Sequence, residues 1–330
     1  MPLTKSTPIK KILIISLSNI GDVILTFPVI DTLREHFRKA KLSVVVGPKV
    51  ESFLKGNPLF EKVYIFEKKQ NPWRILSWIF QLRKEHFDLV VDLRNTAIPF
   101  FISAKYRTPF FIWESRKRHM RDKHIERLKS ICSHCWTADQ KYSLFVSKED
   151  KSYVDQLMRM EIGMDQKYVV IAPGAADQTK RWTEDGFAET ADELIRKYNF
   201  SIVFVGAEND REVVERIIKT MTNKAINFCG RLSLRQLEEF LQHCELTIVN
   251  DSAVMHLASY VDVPIVALFG PTDPAKYGPW SSKKTYLRKI LTCLACHQPK
   301  NNLKHQCMRD ISSLEVLEEV KRLLEATPTF

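Results

Sequence analysis

Short β-branched runs alternate with amphipathic segments over almost the whole chain, a rhythm imposed by parallel sheets with helical crossovers. The first set of strand candidates is Ile12 to Leu17, Leu42 to Val46, Val63 to Phe66 and Leu89 to Leu93. The second is Tyr168 to Ala172, Ile202 to Gly206, Leu246 to Val249 and Pro264 to Phe269. Two sets call for two cores, and 330 residues suffice for two lobes of roughly 150 residues each. The polar, helix-prone stretch Ser147 to Gln166 separates them, so the expected lobes are 1–160 and 161–330. A helix from about Val23 to Phe37 places Val23, Phe27, Ile30, Leu33 and Phe37 on one face, with a kink expected at Pro28. Later helices carry start signals: Thr183 before Glu184 and Asp185, Ser233 with Gln236, and Ser312 with Glu315.

Composition narrows the function classes. Apolar residues are 45% and charged residues 27% of the chain, which is the globular range. The apolar run after Lys10-Lys11 ends at Ser18-Asn19 and reads as a buried strand rather than a secretion signal. The hydrophobic stretch Pro99 to Trp113 is interrupted by Lys105 and Arg107, and no run approaches the ~18 apolar residues a membrane-spanning helix needs. Seven cysteines are too few for a disulfide scaffold, so reduced thiols in a cytosol are expected. Net charge is +11, and residues 94–129 hold ten Lys/Arg against three acids. That patch is either a solvated face or a surface for phosphate-bearing partners. It lacks helix-turn-helix, aromatic-strand and zinc-finger spacing, so no nucleic-acid partner is expected.

In doubly wound sheets the ligand sits beyond the carboxyl ends of the strands, which directs attention to four loops. Ser18-Asn19-Ile20-Gly21-Asp22 follows the first strand; Asp22 there is either a helix cap or a functional carboxylate favoured by the helix dipole. The loop lacks Gly-x-Gly-x-x-Gly, which argues against hydride transfer with a dinucleotide. Pro173 to Trp182 offers small residues, Gly174, Ala175 and Ala176, whose amides can approach an anion beside Lys180 and Arg181. Gly206-Ala207-Glu208 places an acid where it can accept from a ribose or base edge, or simply start a helix. Asn250 to His256 puts Ser252 and Ala253 at a helix start with His256 one turn on, which suits a diphosphate; the turn Gly270 to Pro274 holds Thr272 nearby.

The segments SNIGDVILTFPV, PGAADQTKRW, GAEND, CGRLSLRQL, NDSAVMHLA and FGPTDP resemble, in order and spacing from residue 10 almost to the end, the glycosyltransferase family that contains the lipopolysaccharide heptosyltransferases. The resemblance implies an α/β GT-B fold, two Rossmann-like parallel-sheet lobes facing across a cleft, with the last helix, about 312–324, packing back on the first lobe. It also implies an ADP-heptose-like donor held by the second lobe, an anionic glycolipid acceptor on the first, and inversion with no cofactor or metal. By the family pattern Asp22 is the general base. Gly174, Ala175, Ala176, Lys180, Ser252, Ala253, His256 and Thr272 serve the diphosphate, Glu208 the nucleoside, Leu232 the base pocket and Asp251 the transferred sugar. Asn19, Arg94, Lys105, Arg107 and Arg116 are expected to face the acceptor. The chain departs from the pattern at Ala175, Ala176 and Ala253, where relatives carry hydroxyls or glycine, which leaves the donor sugar and base open.

Two further features stay open. Cys293, Cys296 (with His297), His305 and Cys307 make a zinc set without regular spacing on its second pair, so a reduced loop is expected over a metal; Cys132-x-x-Cys135 beside His134 is a weaker candidate still. Trp73 to Phe87 and the Phe110-to-Trp113 stretch set apolar residues among basic ones, either as core or as a face resting on an anionic leaflet at the cytoplasmic side of the inner membrane. A nucleotide-sugar-binding protein without catalysis is the alternative to an enzyme.

Overall fold

The computed structural model describes residues 3–4, 7–17, 19–67, 70–110, 118–135, 138, 140–163, 165–290 and 305–325. It separates into two compact units, Met1–Phe145 and Val146–Phe330. The helix Lys148–Glu161, which lies where the sequence places the boundary, therefore belongs wholly to the second unit. Its Ser147 N-cap and Asp150 form a capping box, and Gln236 Nε2 donates to Asp150 Oδ1 at 2.9 Å, tying it to the helix that starts after Ser233.

The first unit is a parallel five-stranded sheet in the order β3-β2-β1-β4-β5. Its strands are β1 (Lys11–Ile15), β2 (Lys41–Val46), β3 (Phe60–Ile65), β4 (Phe87–Asp92) and β5 (Ala104–Arg107). Its helices are α1 (Ile20–Ile24), α2 (Phe27–His36), α3 (Glu51–Leu54), α4 (Pro72–Lys84), α5 (Ile98–Phe101) and α6 (Met120–Lys129). Strand β1 lies at the centre, and Ile12 to Ile15 are fully buried, as a strand covered on both faces requires. The helix expected over Val23 to Phe37 is broken rather than kinked: α1 ends at Ile24, and Pro28 sits in the first turn of α2, where its missing N–H costs nothing. Strand β5 was read only as part of the basic patch, because Lys105 and Arg107 alternate with Ala104 and Tyr106 on a half-exposed edge.

The second unit is a parallel six-stranded sheet in the order β11-β10-β9-β6-β7-β8. Its strands are β6 (Tyr168–Ala172), β7 (Ser201–Phe204), β8 (Ile226–Asn227), β9 (Leu246–Asn250), β10 (Ile265–Phe269) and β11 (Lys284–Arg288). The helices are α7 (Lys148–Glu161), α8 (Glu184–Tyr198), α9 (Arg211–Thr220), α10 (Leu234–Leu241), α11 (Ala253–Val261), α12 (Pro274–Tyr277), α13 (Gln306–Arg309) and α14 (Ser313–Glu325). Thr183 and Ser233 cap α8 and α10 as their spacing predicts, and Ser312 with Glu315 does the same ahead of α14. The last helix packs inside this unit along one face: Val316, Leu317, Val320 and Leu323 lie in one core cluster with Phe187 and Leu194 of α8. Its apolar stripe matches the gap beside α8, and burying it there satisfies it locally.

Both sheets are doubly wound. The chain moves outward through β1, β2 and β3, then restarts on the other side at β4; in the second unit it runs β6, β7, β8 and restarts at β9. The reversal points lie between β1 and β4 and between β6 and β9, the places where such sheets leave a crevice at their carboxyl ends.

Candidate active site

At the first reversal point the loop after β1 carries Asn19 and Asp22, and the loop after β4 carries Arg94. Asn19 is the exposed N-cap residue of α1 but makes no side-chain cap bond, and Asp22 is the third residue of that short helix. Asp22 is therefore not the cap that a sequence reading allows. Its Oδ1 lies 3.6 Å from Arg94 Nη1, with both side chains about a quarter exposed, at 25% and 27%. The Arg94 loop is shaped by Asp92, which no sequence motif singles out. The Asp92 carboxylate accepts from the amides of Arg94 (2.8 Å) and Thr96 (2.6 Å) and from Thr96 Oγ1 (3.0 Å), which curls the chain through left-handed Asn95. Burial pushes the Asp92 carboxyl above its ordinary range, against the pull of those donors. Arg127 braces the same loop from α6, donating Nε to the Asp92 carbonyl at 3.0 Å.

Of the other expected acceptor residues, Lys105 is exposed on β5, its ammonium 5.5 Å from the Tyr106 ring centre. Arg107, two residues on and also exposed, gives one donor to the Pro99 carbonyl at 3.0 Å. Arg116 lies outside the described residues.

At the second reversal point the loops after β6 and β9 are bolted together. Asn250, fully buried at the end of β9, donates Nδ2 to the Pro173 carbonyl at 2.8 Å and accepts from the Trp182 amide at 3.2 Å. Between those anchors Asp177 accepts from the Thr179 amide, a bond that holds its carboxyl below the usual range and winds the single turn Gln178–Lys180. That turn aims Lys180 inward, where its Nζ meets Asp251 Oδ2 at 2.7 Å. Asp251 is 5% exposed and Lys180 30%, so the lysine is the wet end of the pair. Ser252 begins α11 but does not cap it: its Oγ is buried with no hydrogen-bond partner among the described residues. A buried hydroxyl left without an acceptor costs free energy unless a ligand completes it.

The glycine at Gly174 is required by close approach, since a side chain there would run into the Asp210 carboxylate. Asp210 also receives the Ala207 amide and stands 3.8 Å from Arg181, whose guanidinium grips the Ala175 carbonyl at 2.9 and 3.1 Å. Ala175 is buried, while Ala176 is exposed beside it. Glu208 pairs with Arg211, whose hydrogen bond holds the carboxyl below its ordinary range, and its side chain fills the space over Gly230. Leu232 follows that glycine, half-buried ahead of α10. Gly270 passes against the Thr179 carbonyl, bringing the loop of half-buried Thr272 toward the Lys180 turn. His256 is buried and stacks on Trp280, ring centres 5.5 Å apart. The structure thus gathers Gly174, Ala175, Lys180, Asp251, Ser252 and Ala253 around one strand-end crevice and sets Glu208 and Leu232 along its β7 side.

Backbone amides, a lysine and an unpartnered hydroxyl at a parallel-sheet reversal point are the groups that phosphate oxygens call for. Comparison with known proteins decides which kind. The model of "Glycosyltransferase family 9 (heptosyltransferase)" matches residues 75–306. The chain belongs to that family.

This family 9 glycosyltransferase is 26% identical to lipooligosaccharide heptosyltransferase 2 of Campylobacter jejuni, over 93% of this chain and 96% of the relative. It is 27% identical to lipopolysaccharide heptosyltransferase 3 of Escherichia coli, over 90% and 91% of the two chains. Among solved structures, the glycosyl transferase family 9 protein of Veillonella parvula superposes with a TM-score of 0.81 at 24% identity, covering 99% of both chains. Two parallel-sheet units are thus the family 9 fold, and the enzyme is a heptosyltransferase-class glycosyltransferase.

For a family 9 enzyme the residues missed from sequence are the ones that shape loops. Asn250 was visible in the motif, but nothing in one chain says that a strand-end amide spans to Pro173 and Trp182. Of the candidate metal ligands weighed from the sequence, Cys293 and Cys296 lie outside the described residues, Cys307 is buried in the second unit's core, and His305 opens α13. The expectation of reduced thiols also needs correction: Cys132 and Cys135 are joined as a disulfide, whereas Cys229, Cys244 and Cys307 are free and buried.

Proposed function

We propose that the enzyme moves a heptose from ADP-heptose onto a phosphorylated sugar of a lipopolysaccharide core, with inversion at the anomeric carbon. The observation that carries the donor half is the unpartnered Ser252 hydroxyl beside Lys180 and the first amides of α11. Diphosphate oxygens are acceptors only, and these groups are donors. Lys180 leaves Asp251 in part to meet the phosphates, and Asp251 then accepts from hydroxyls of the transferred sugar. With Ala175 and Ala176 lacking hydroxyls, Lys180 and Arg181 supply the charge that the leaving diphosphate needs, so the transfer calls on no metal ion. Glu208 accepts from the ribose, and Leu232 packs on the base.

In the transfer step the acceptor oxygen bonds to the anomeric carbon as the carbon–oxygen bond to the diphosphate breaks and its electron pair leaves with ADP. Asp22 takes the acceptor proton. Arg94, its neighbour at 3.6 Å, exchanges that pairing for a phosphate of the acceptor. Thermal-shift measurements with ADP, UDP and GDP test the donor half. Selective stabilisation by ADP is expected; preference for UDP would replace the donor.

The acceptor is lipid-linked in this reading, and the first unit has a face that suits a membrane surface. No described helix is long and apolar enough to cross a bilayer. Helix α4, however, buries only Leu82 and exposes Trp73 (77%) and Phe80 (60%) beside Arg74, Arg83 and Lys84. Phe100 and Phe101 of α5 are also exposed, near Lys105. Exposed aromatics ringed by cations fit an anionic leaflet, here the cytoplasmic face of the inner membrane. Flotation with phosphatidylglycerol vesicles should show binding that weakens steeply between low and physiological salt and is reduced in Trp73→Ser/Phe80→Ser. Binding indifferent to both would remove the membrane contact.

A further inference from the structure

The turn after α6 places Cys132, His134 and Cys135 with one potential ligand atom each inside a 4.8 Å cluster. We propose that, with the disulfide reduced, these three residues and His36 of α2 hold one soft divalent cation of the zinc class.

The geometry fits such an ion closely. Cys132 Sγ and His134 Nε2 are 3.6 Å apart. Tetrahedral bonds of about 2.3 Å to sulfur and about 2.0 Å to nitrogen put their ends about 3.5 Å apart. The two sulfurs come from a Cys-x-x-Cys turn whose Cα atoms are 5.3 Å apart and whose Cys135 amide bonds back to the Cys132 carbonyl at 3.1 Å. Both cysteines are buried, and His134 is half-buried, so a bound ion is screened from water on the sulfur side.

His36 completes the set. Its ring centre is 6.5 Å from that of His134. Two imidazoles on one tetrahedral ion stand about 5–6 Å apart, so a closure of about an ångström suffices. His36 Nδ1 lies 2.9 Å from the Thr32 carbonyl, which accepts and cannot donate. The proton is therefore on Nδ1 and Nε2 is the ligand nitrogen, the arrangement that orients metal-bound histidines. His36, His134 and Glu35 line a common cavity of about 500 Å³, through which an ion can enter. Glu35 Oε2 is buried there with no hydrogen-bond partner among the described residues, an acid available to the metal's outer shell.

The chemistry balances simply. A dithiol or phosphine reductant gives two electrons, two protons are taken up, and the disulfide becomes two thiols; the ion then displaces both thiol protons. Two thiolates, two neutral imidazoles and a divalent cation sum to zero charge, which a buried site requires. The ion would fasten the carboxyl end of α2 to the turn after α6.

The test uses the full chain and a Cys293→Ser/Cys296→Ser form that removes the other Cys-x-x-Cys. Each is reduced with a phosphine, given Zn²⁺, desalted and analysed for bound metal, with Co²⁺ as a spectroscopic probe. One equivalent of zinc and a thiolate-to-cobalt charge-transfer band are expected in both, and neither in Cys132→Ser/Cys135→Ser. His134→Ala, which leaves the sulfurs in place, should bind at least tenfold more weakly and decides the matter if the double serine variant does not fold. Free, reactive Cys132 and Cys135 thiols that take up no metal would overturn the proposal. So would a disulfide that survives the phosphine in the folded protein, or unchanged affinity in His134→Ala.

Discussion

The two reversal points are built alike and loaded differently. At the first, Asp22 and Arg94 stand 3.6 Å apart with about a quarter of each side chain in water; at the second, Lys180 and Asp251 touch at 2.7 Å and the acid is 5% exposed. A loose pair costs little to separate, so either partner can turn to a substrate. A tight pair with a buried acid holds its geometry before the ligand arrives, and Asn250 locks the loops on either side of it. The difference teaches where chemistry and where grip belong: proton transfer needs a carboxylate free to accept, whereas diphosphate binding needs donors already in place.

The comparison breaks most visibly at Asp22. Asp22→Asn keeps the size of the side chain and removes the proposed base, so turnover of ADP-heptose with a core acceptor should fall about 10²–10⁴-fold. A rate within threefold of the wild type would assign the base elsewhere. Lys180→Ala tests the other pair: losing a charge-assisted bond to phosphate costs about 1.5–3 kcal/mol, so ADP affinity should weaken roughly 10- to 150-fold by titration calorimetry. Because that change also strands buried Asp251, the same variant should melt at lower temperature, which a merely superficial lysine would not cause.

The smallest effect sharpens the contrast in electrostatics. His124 on α6 is buried near Arg94 and Arg127, and burial first, those cations second, lower its pKa to about 3. Its unfolded value is about 6.5, so between pH 6.5 and 3 the unfolded chain binds a proton that the folded chain refuses. Stability from this group is complete above pH 6.5 and falls with pH below it, by about 1.4 kcal/mol at pH 5.5. Urea midpoints of the wild type should therefore drop more between pH 7 and 5.5 than those of His124→Gln. Parallel pH dependence would mean that His124 takes up its proton equally in the folded and unfolded chain.

Much of this was legible in the chain because apolar runs and caps are local signals. Tyr168 to Ala172 forms the expected strand to the residue, and Thr183 and Ser233 start the expected helices. Strands β5 and β11 escape notice for the same reason: AKYR and KTYLR are short edge strands that carry two charges each and have no buried run to show. Pro28 is expected to kink one long helix, but the chain ends α1 at Ile24 and starts α2 afresh with Pro28 in its first turn, which one sequence does not reveal. The last helix carried a clear apolar stripe, yet periodicity says that a face is buried and not which core receives it. Candidate site residues that bear charge, Asp22, Lys180 and Asp251, announce themselves by type; Asn250 joins loops far off in sequence and Asp92 curls its own loop through Arg94 and Thr96, which only coordinates show.

The division between chemistry and grip is tested most directly by titrating ADP into Asp22→Asn and Lys180→Ala side by side with the wild type. Asp22→Asn should bind ADP within about twofold of the wild type while Lys180→Ala binds at least tenfold more weakly. Equal weakening in both variants, or loss of binding in Asp22→Asn alone, would contradict it.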